Sequence, residues 1–117
     1  MKRQDCKLEK EHEKRVAEAV KSMPSEEVVL EMSDIFRMLG EPSRLRIVLA
    51  LTKGESCVYH LVEACGGTQS GVSHQLRVLK DNKIVKSRRA GQSVFYSIAD
   101  EHILRIVAIG LEHVDCK

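Results

Sequence analysis

The chain has 117 residues, which suits one domain with a sizeable core. Hydrophobic residues make up 43% and aromatics 3%, with no tryptophan, two prolines and seven glycines; the core must be aliphatic, and a disordered or collagen-like chain is excluded. The net charge of +2 is too small to imply nucleic acid by itself, and the absence of a signal peptide or a spanning apolar run predicts a cytoplasmic protein, with no membrane partner, whose four cysteines are thiols or ligands rather than disulfides.

The first 22 residues hold seven basic and five acidic side chains. Val16, Ala17, Ala19 and Val20 give the later part a weak helical face, so positions 1–24 read as a charged arm running into a helix, with Cys6 and His12 in the solvated arm. Met23-Pro24-Ser25 then breaks the pattern, and Ser25 with Glu26 and Glu27 is a helix start. Val28, Val29, Met32, Ile35, Phe36, Met38 and Leu39 supply its apolar face, and Gly40 ends it. Glu41-Pro42-Ser43 opens the next helix, Arg44 to Thr52, which stops at Lys53-Gly54. Glu55-Ser56-Cys57 leads into a short helix from Val58 to Cys65.

Gly66-Gly67 is a tight turn, and Thr68 to Asn82 forms another helix with Val72, Leu76 and Leu79 facing inward. Two helices joined through glycine make a helix-turn-helix signature. Ile84–Arg89 and Ser93–Ile98 are strand-like and flank Ala90-Gly91-Gln92, which predicts a β-hairpin with a basic tip. Residues 25–99 therefore read as a winged helix-turn-helix core. The whole chain reads as a single, mainly α domain with a small β-hairpin.

Charge is distributed by task. Between Thr68 and Gln92, Arg77, Lys80, Lys83, Lys86, Arg88 and Arg89 oppose Asp81 alone, a local balance of +5 with no glutamate. On the second helix of the pair Gln69, Ser70, Ser73, His74, Gln75 and Arg77 are left outside, and such amides, hydroxyls and guanidinium groups reach phosphates and base edges from a helix in the major groove. Arg88, Arg89 and Gln92 on the hairpin are placed for DNA backbone or minor groove. Double-stranded DNA is the predicted partner.

From Ser93 onward the balance is −2, which favours a cation. Residues 100–117 predict a last helix capped by Asp100. At about 100° per residue, His102 and His113 point within about 20° of each other, with Ile106, Ile109 and Cys116 on the same stripe. Along the axis the two histidines are about 16 Å apart, so one helix cannot clamp both onto one ion. Two such helices, antiparallel across a two-fold axis, can: Asp100 and His102 of one chain would face His113 and Cys116 of the other. O, N, N and S form a plausible tetrahedral zinc set.

At this point the sequence resembles the ArsR/SmtB family of metal-sensing transcriptional repressors. The resemblance covers about residues 28 to 116 and rests on L-G-E-P-S-R-L-R-I (39–47), E-S-C-V-Y-H-L (55–61), S-G-V-S-H-Q-L-R-V-L (70–79), the R-R-A-G-Q-S-V-F-Y-S-I hairpin (88–98), and D-E-H with downstream His113. It implies a homodimer that binds an operator of two-fold symmetry and releases it on binding metal: Zn2+, with Cd2+ and Co2+ as alternatives. Asp100, His102 and His113 match the family's last-helix ligands. Cys116 stands where the family usually has Glu or His, a departure that softens the site toward cadmium. A second family site implies Cys6 and Cys57, with His12 or His60 assisting, but its usual second short-helix cysteine is here Tyr59. The alternative on the same fold is a repressor that senses oxidants or persulfides through its thiols. Nothing in the pattern points to an enzyme.

Overall fold

The structure, a computed structural model, describes residues 6–115, with side chains from Glu9 onward. The chain divides into two compact units between Met32 and Ser33. In the first, helix α1 (Cys6–Ser22) and the start of α2 (Glu26–Leu39) flank Met23-Pro24-Ser25. The Ser25 hydroxyl accepts from the Val28 N–H at 3.3 Å, as an N-cap does. The helix begins at Cys6 where the sequence reading put an arm, so His12 lies within it. Opposite charges four apart (Glu11 and Arg15, Lys14 and Glu18) suit a helix that is exposed from Lys10 onward.

The second unit holds the end of α2, then α3 (Pro42–Leu51), β1 (Ser56–Cys57), α4 (Val58–Cys65), α5 (Gln69–Asp81), β2 (Val85–Ala90), β3 (Ser93–Ile98) and α6 (Glu101–Asp115). Helix α3 starts on a strong local signal: the Glu41 carboxylate accepts from the Ser43 and Arg44 N–H groups at 3.1 and 3.0 Å, and Pro42 occupies the first turn. Those backbone donors, with the charge of Arg44, hold the Glu41 carboxyl below its ordinary value.

The core is wholly aliphatic. Ile47, Val48 and Leu51 of α3, Leu61 of α4, and Val72, Leu76 and Leu79 of α5 meet Ile84, Val85, Ile103 and Val107. Side chains of α3, α4 and α5 share this one cluster with the sheet and α6, which hold the helix-turn-helix in place.

The sheet has three strands in the order β1-β3-β2, one more than the hairpin alone. β2 and β3 pair antiparallel from Val85↔Ile98 to Ala90↔Ser93. Gly91, with φ 65°, takes the first place in a two-residue turn, the position that a type II′ hairpin gives to glycine. On the far side of β3, Ser56 pairs with Tyr96 and Cys57 with Phe95, which ties the entry of α4 to the wing.

Candidate functional site

Helix α5 is aimed by its two ends. At its start the Thr68 hydroxyl accepts from the Gly71 N–H at 3.0 Å. At its end Lys83 sits in the left-handed region at φ 62°. There the Ile84 N–H reaches the Leu79 carbonyl (2.9 Å) and the Lys83 N–H reaches Lys80 (3.0 Å), a Schellman closure that turns buried Ile84 back against buried Leu79.

Between these ends, Gln69, Ser70, His74 and Arg77 are exposed, while Ser73 and Gln75 are half-buried. The Gln69 amide approaches the Tyr59 hydroxyl at 3.4 Å. The Gln75 oxygen accepts from Arg44 at 3.2 Å. Four of the six candidate side chains thus share an open surface, and two of the six, Gln69 and Gln75, are hydrogen-bonded to the scaffold.

On the wing, Arg89 and Gln92 are exposed. Arg88 is held: its Nε donates to Glu55 at 2.8 Å, its Nη2 to the other carboxylate oxygen, and its guanidinium lies 5.0 Å from the Phe95 ring centroid. The pair raises the Arg88 pKa and holds the Glu55 carboxyl below its ordinary value. Sequence reasoning missed Glu55 because it lies 33 residues from Arg88 and meets it only through strand β1.

Asp100 caps α6: its Oδ1 accepts from the Ile103 N–H at 3.1 Å and lies 3.4 Å from His102 Nδ1. Both side chains are mostly exposed. His113 is exposed in the last turn. Cys116 lies outside the described residues. Within one chain, no group of three or more His, Cys, Asp or Glu side chains that could hold a metal forms among the described residues. A carboxylate and an imidazole set side by side at one helix end, with another imidazole at the opposite end, are two incomplete donor sets. Their hard and borderline donors fit a divalent ion such as zinc if a second chain completes each.

Of the second candidate set, Cys57 is a half-buried N-cap of α4, His60 is exposed on that helix, and His12 lies on α1. The Cys6 side chain lies outside the described residues. Cys65 is half-buried, and burial pushes its thiol pKa up despite the nearby charge of Arg46.

One face of α6 is buried through Ile103 and Val107, but Ile109, Leu111 and Val114 are 63%, 52% and 59% exposed. Together with Phe36 and Leu45 they border an apolar cleft of about 670 Å³.

The family model for the bacterial regulatory protein, arsR family, matches residues 41–87. The chain is 37% identical over 103 residues to a "transcriptional repressor SmtB homolog" of Synechocystis, covering 88% of this chain and 78% of that one. It is 30% identical to a "cadmium resistance transcriptional regulatory protein CadC homolog" of Staphylococcus aureus, covering 92% and 89%. Among solved structures, the homodimeric winged helix-turn-helix DNA-binding domain of a Mycobacterium bovis protein superposes with a TM-score of 0.72 at 27% identity, covering 80% of this chain and 90% of that one.

Proposed function

The chain belongs to the arsR family of bacterial regulatory proteins, metal-sensing transcriptional repressors with a winged helix-turn-helix and no enzymatic role, and on that premise we propose that it is a cytoplasmic homodimer that represses transcription from operator DNA and lets go of it on binding zinc. Cadmium and cobalt are the alternative ions. The observation that carries this reading is the pairing of Asp100 with His102, 3.4 Å apart, at one end of a helix whose other end bears His113 and whose exposed side is apolar.

In this reading the exposed face of α5 enters the major groove with Gln69, Ser70, His74 and Arg77 foremost, and Arg89 and Gln92 follow the backbone or minor groove. Asp100 and His102 of one protomer and His113 of its partner form each metal site, with Cys116 as fourth ligand. When bound, the ion would supply a Lewis-acid cross-link between the two α6 helices. The chain's own part is to make that link compatible with only one spacing of the two α5 helices, and reciprocity then requires metal and DNA to weaken each other.

A thiol-sensing repressor would need accessible, low-pKa cysteines. Cys65 is the opposite, its thiol pushed up by burial.

The test is a zinc titration of the purified protein against an operator duplex enriched from a random pool, read for stoichiometry and affinity together. Two ions per dimer should weaken DNA binding about 5- to 150-fold. His102→Ala and His113→Ala should each keep operator affinity and lose that response. If both variants still release DNA at the wild-type zinc concentration, the α6 site is wrong.

A further inference from the structure

Arg44 stands where three helices meet. Its Nε donates to the Met38 carbonyl at the end of α2 at 2.9 Å, and its Nη1 donates to Gln75 Oε1 on α5 at 3.2 Å. Its own N–H is fixed by the Glu41 cap at 3.0 Å, which sets where the side chain departs. Arg44 and Gln75 are both half-buried.

A guanidinium carries donors and no acceptor, so the amide of Gln75 must turn its oxygen toward Arg44. Its two N–H donors then face away. Gln75 also lines an open cleft of about 400 Å³, together with Ser43, Arg46 and Thr68, beside the first turn of α5. The polar side chains of that cleft bring hydroxyl, amide and guanidinium groups, and no acidic residue among the described ones lines it.

We propose that Arg44 is a positioning residue for DNA recognition, locking Gln75 as a hydrogen-bond donor toward an acceptor atom of the duplex. The inference rests on α5 being the DNA-reading helix. The acceptor is a phosphate oxygen or a purine N7 or O6, which share the chemistry that an amide N–H seeks. Without Arg44 the amide can turn over, and its oxygen then meets those acceptors unfavourably. The bond to Met38 gives the lock a fixed base, because that carbonyl belongs to the last turn of α2 and has no further helix to bond to.

The test is a double-mutant cycle of Arg44→Met and Gln75→Met, measured on the enriched operator and on an unrelated duplex at a temperature where thermal melts show every variant folded. Arg44→Met should weaken operator binding about tenfold in the wild-type background and less than about twofold in the Gln75→Met background. Equal losses in the two backgrounds would overturn the proposal, because Arg44 would then act by a route other than Gln75. If Gln75→Met alone leaves binding unchanged, this inference fails, while loss of binding in Arg77→Ala still upholds α5 as the reading helix.

A coupled loss of similar size on both duplexes identifies a phosphate oxygen as the acceptor, and a loss confined to the operator identifies a base edge. Should Arg44→Met not fold, Arg44→Lys serves in its place: a single ammonium cannot reproduce the fork that engages Met38 and Gln75 together. The same non-additivity is expected, and additivity would again overturn the idea.

Discussion

Arg88 and Glu55 show how a basic hairpin can keep one cation in reserve. The guanidinium is forked onto a carboxylate and laid over Phe95, while its neighbour Arg89 is exposed. An exposed pair of this kind contributes little to stability, so its interest lies in what it withholds from an anionic partner. Glu55→Ala should free Arg88 for phosphate and steepen the slope of log affinity against log salt by about 0.9 per chain. An unchanged slope would remove Arg88 from the DNA surface. The pH dependence has a definite sign. The Glu55 carboxyl is lowered in the folded chain, so the pair is fully formed above the ordinary carboxylate value and is lost as pH falls through the lowered one. At neutral pH, mutation is therefore needed to open it.

At the scale of elements, the end of α5 carries a conflict between backbone and side chain. A Schellman closure favours glycine at its left-handed position, and here that position is Lys83 at φ 62°. An L-residue there costs roughly 1–2 kcal/mol, offset by about 0.5–1 kcal/mol because glycine loses more entropy on folding. Lys83→Gly should raise the thermal midpoint, with a gain of about 0.5–1 kcal/mol at the melting temperature. A lower midpoint would show that Lys83 makes a contribution beyond its backbone. The same stretch shows what the sequence could disclose. Gly66-Gly67 and Thr68 are local signals, and they placed α4 and the start of α5 correctly. Asp100 and His102 lie two residues apart at a helix start, so their pairing was legible as well. Strand β1 was not, because two residues have no periodicity and form a strand only when Tyr96 and Phe95 come alongside. Arg44 was not either: its partner is 31 positions away, and only the packing of α3 on α5 joins them. Charged residues from Cys6 onward hid the start of α1, since a helix without a buried face leaves only a weak apolar pattern.

At the scale of the whole molecule, the proposed role of α6 would make sensing and assembly inseparable. Asp100 and His102 open the helix and His113 closes it, about 16 Å apart, so neither end completes a tetrahedral set alone. Between them the exposed side carries Ile109, Leu111 and Val114. In the proposed dimer, antiparallel pairing of two such helices would cover that apolar surface and bring each end to the other's, so one contact would serve both purposes. The helix also carries Glu101, Glu112 and Asp115 with Arg105 as its counter-charge, so a further carboxylate in the middle of each copy meets an acidic surface. Ile109→Glu is the discriminating change. Ile109 is 63% exposed in the single chain, so its replacement should leave the fold and its melting behaviour nearly unchanged. Across a two-fold interface it would bury two unpaired carboxylates, at several kcal/mol each. Sedimentation should find a monomer, zinc affinity should fall at least about a hundredfold as each site loses half its ligands, and operator binding should fall with it because two half-sites must be held together. A dimeric Ile109→Glu would move the interface off this face of α6. A monomer that still bound one zinc at wild-type affinity would mean that the site is complete within a single chain.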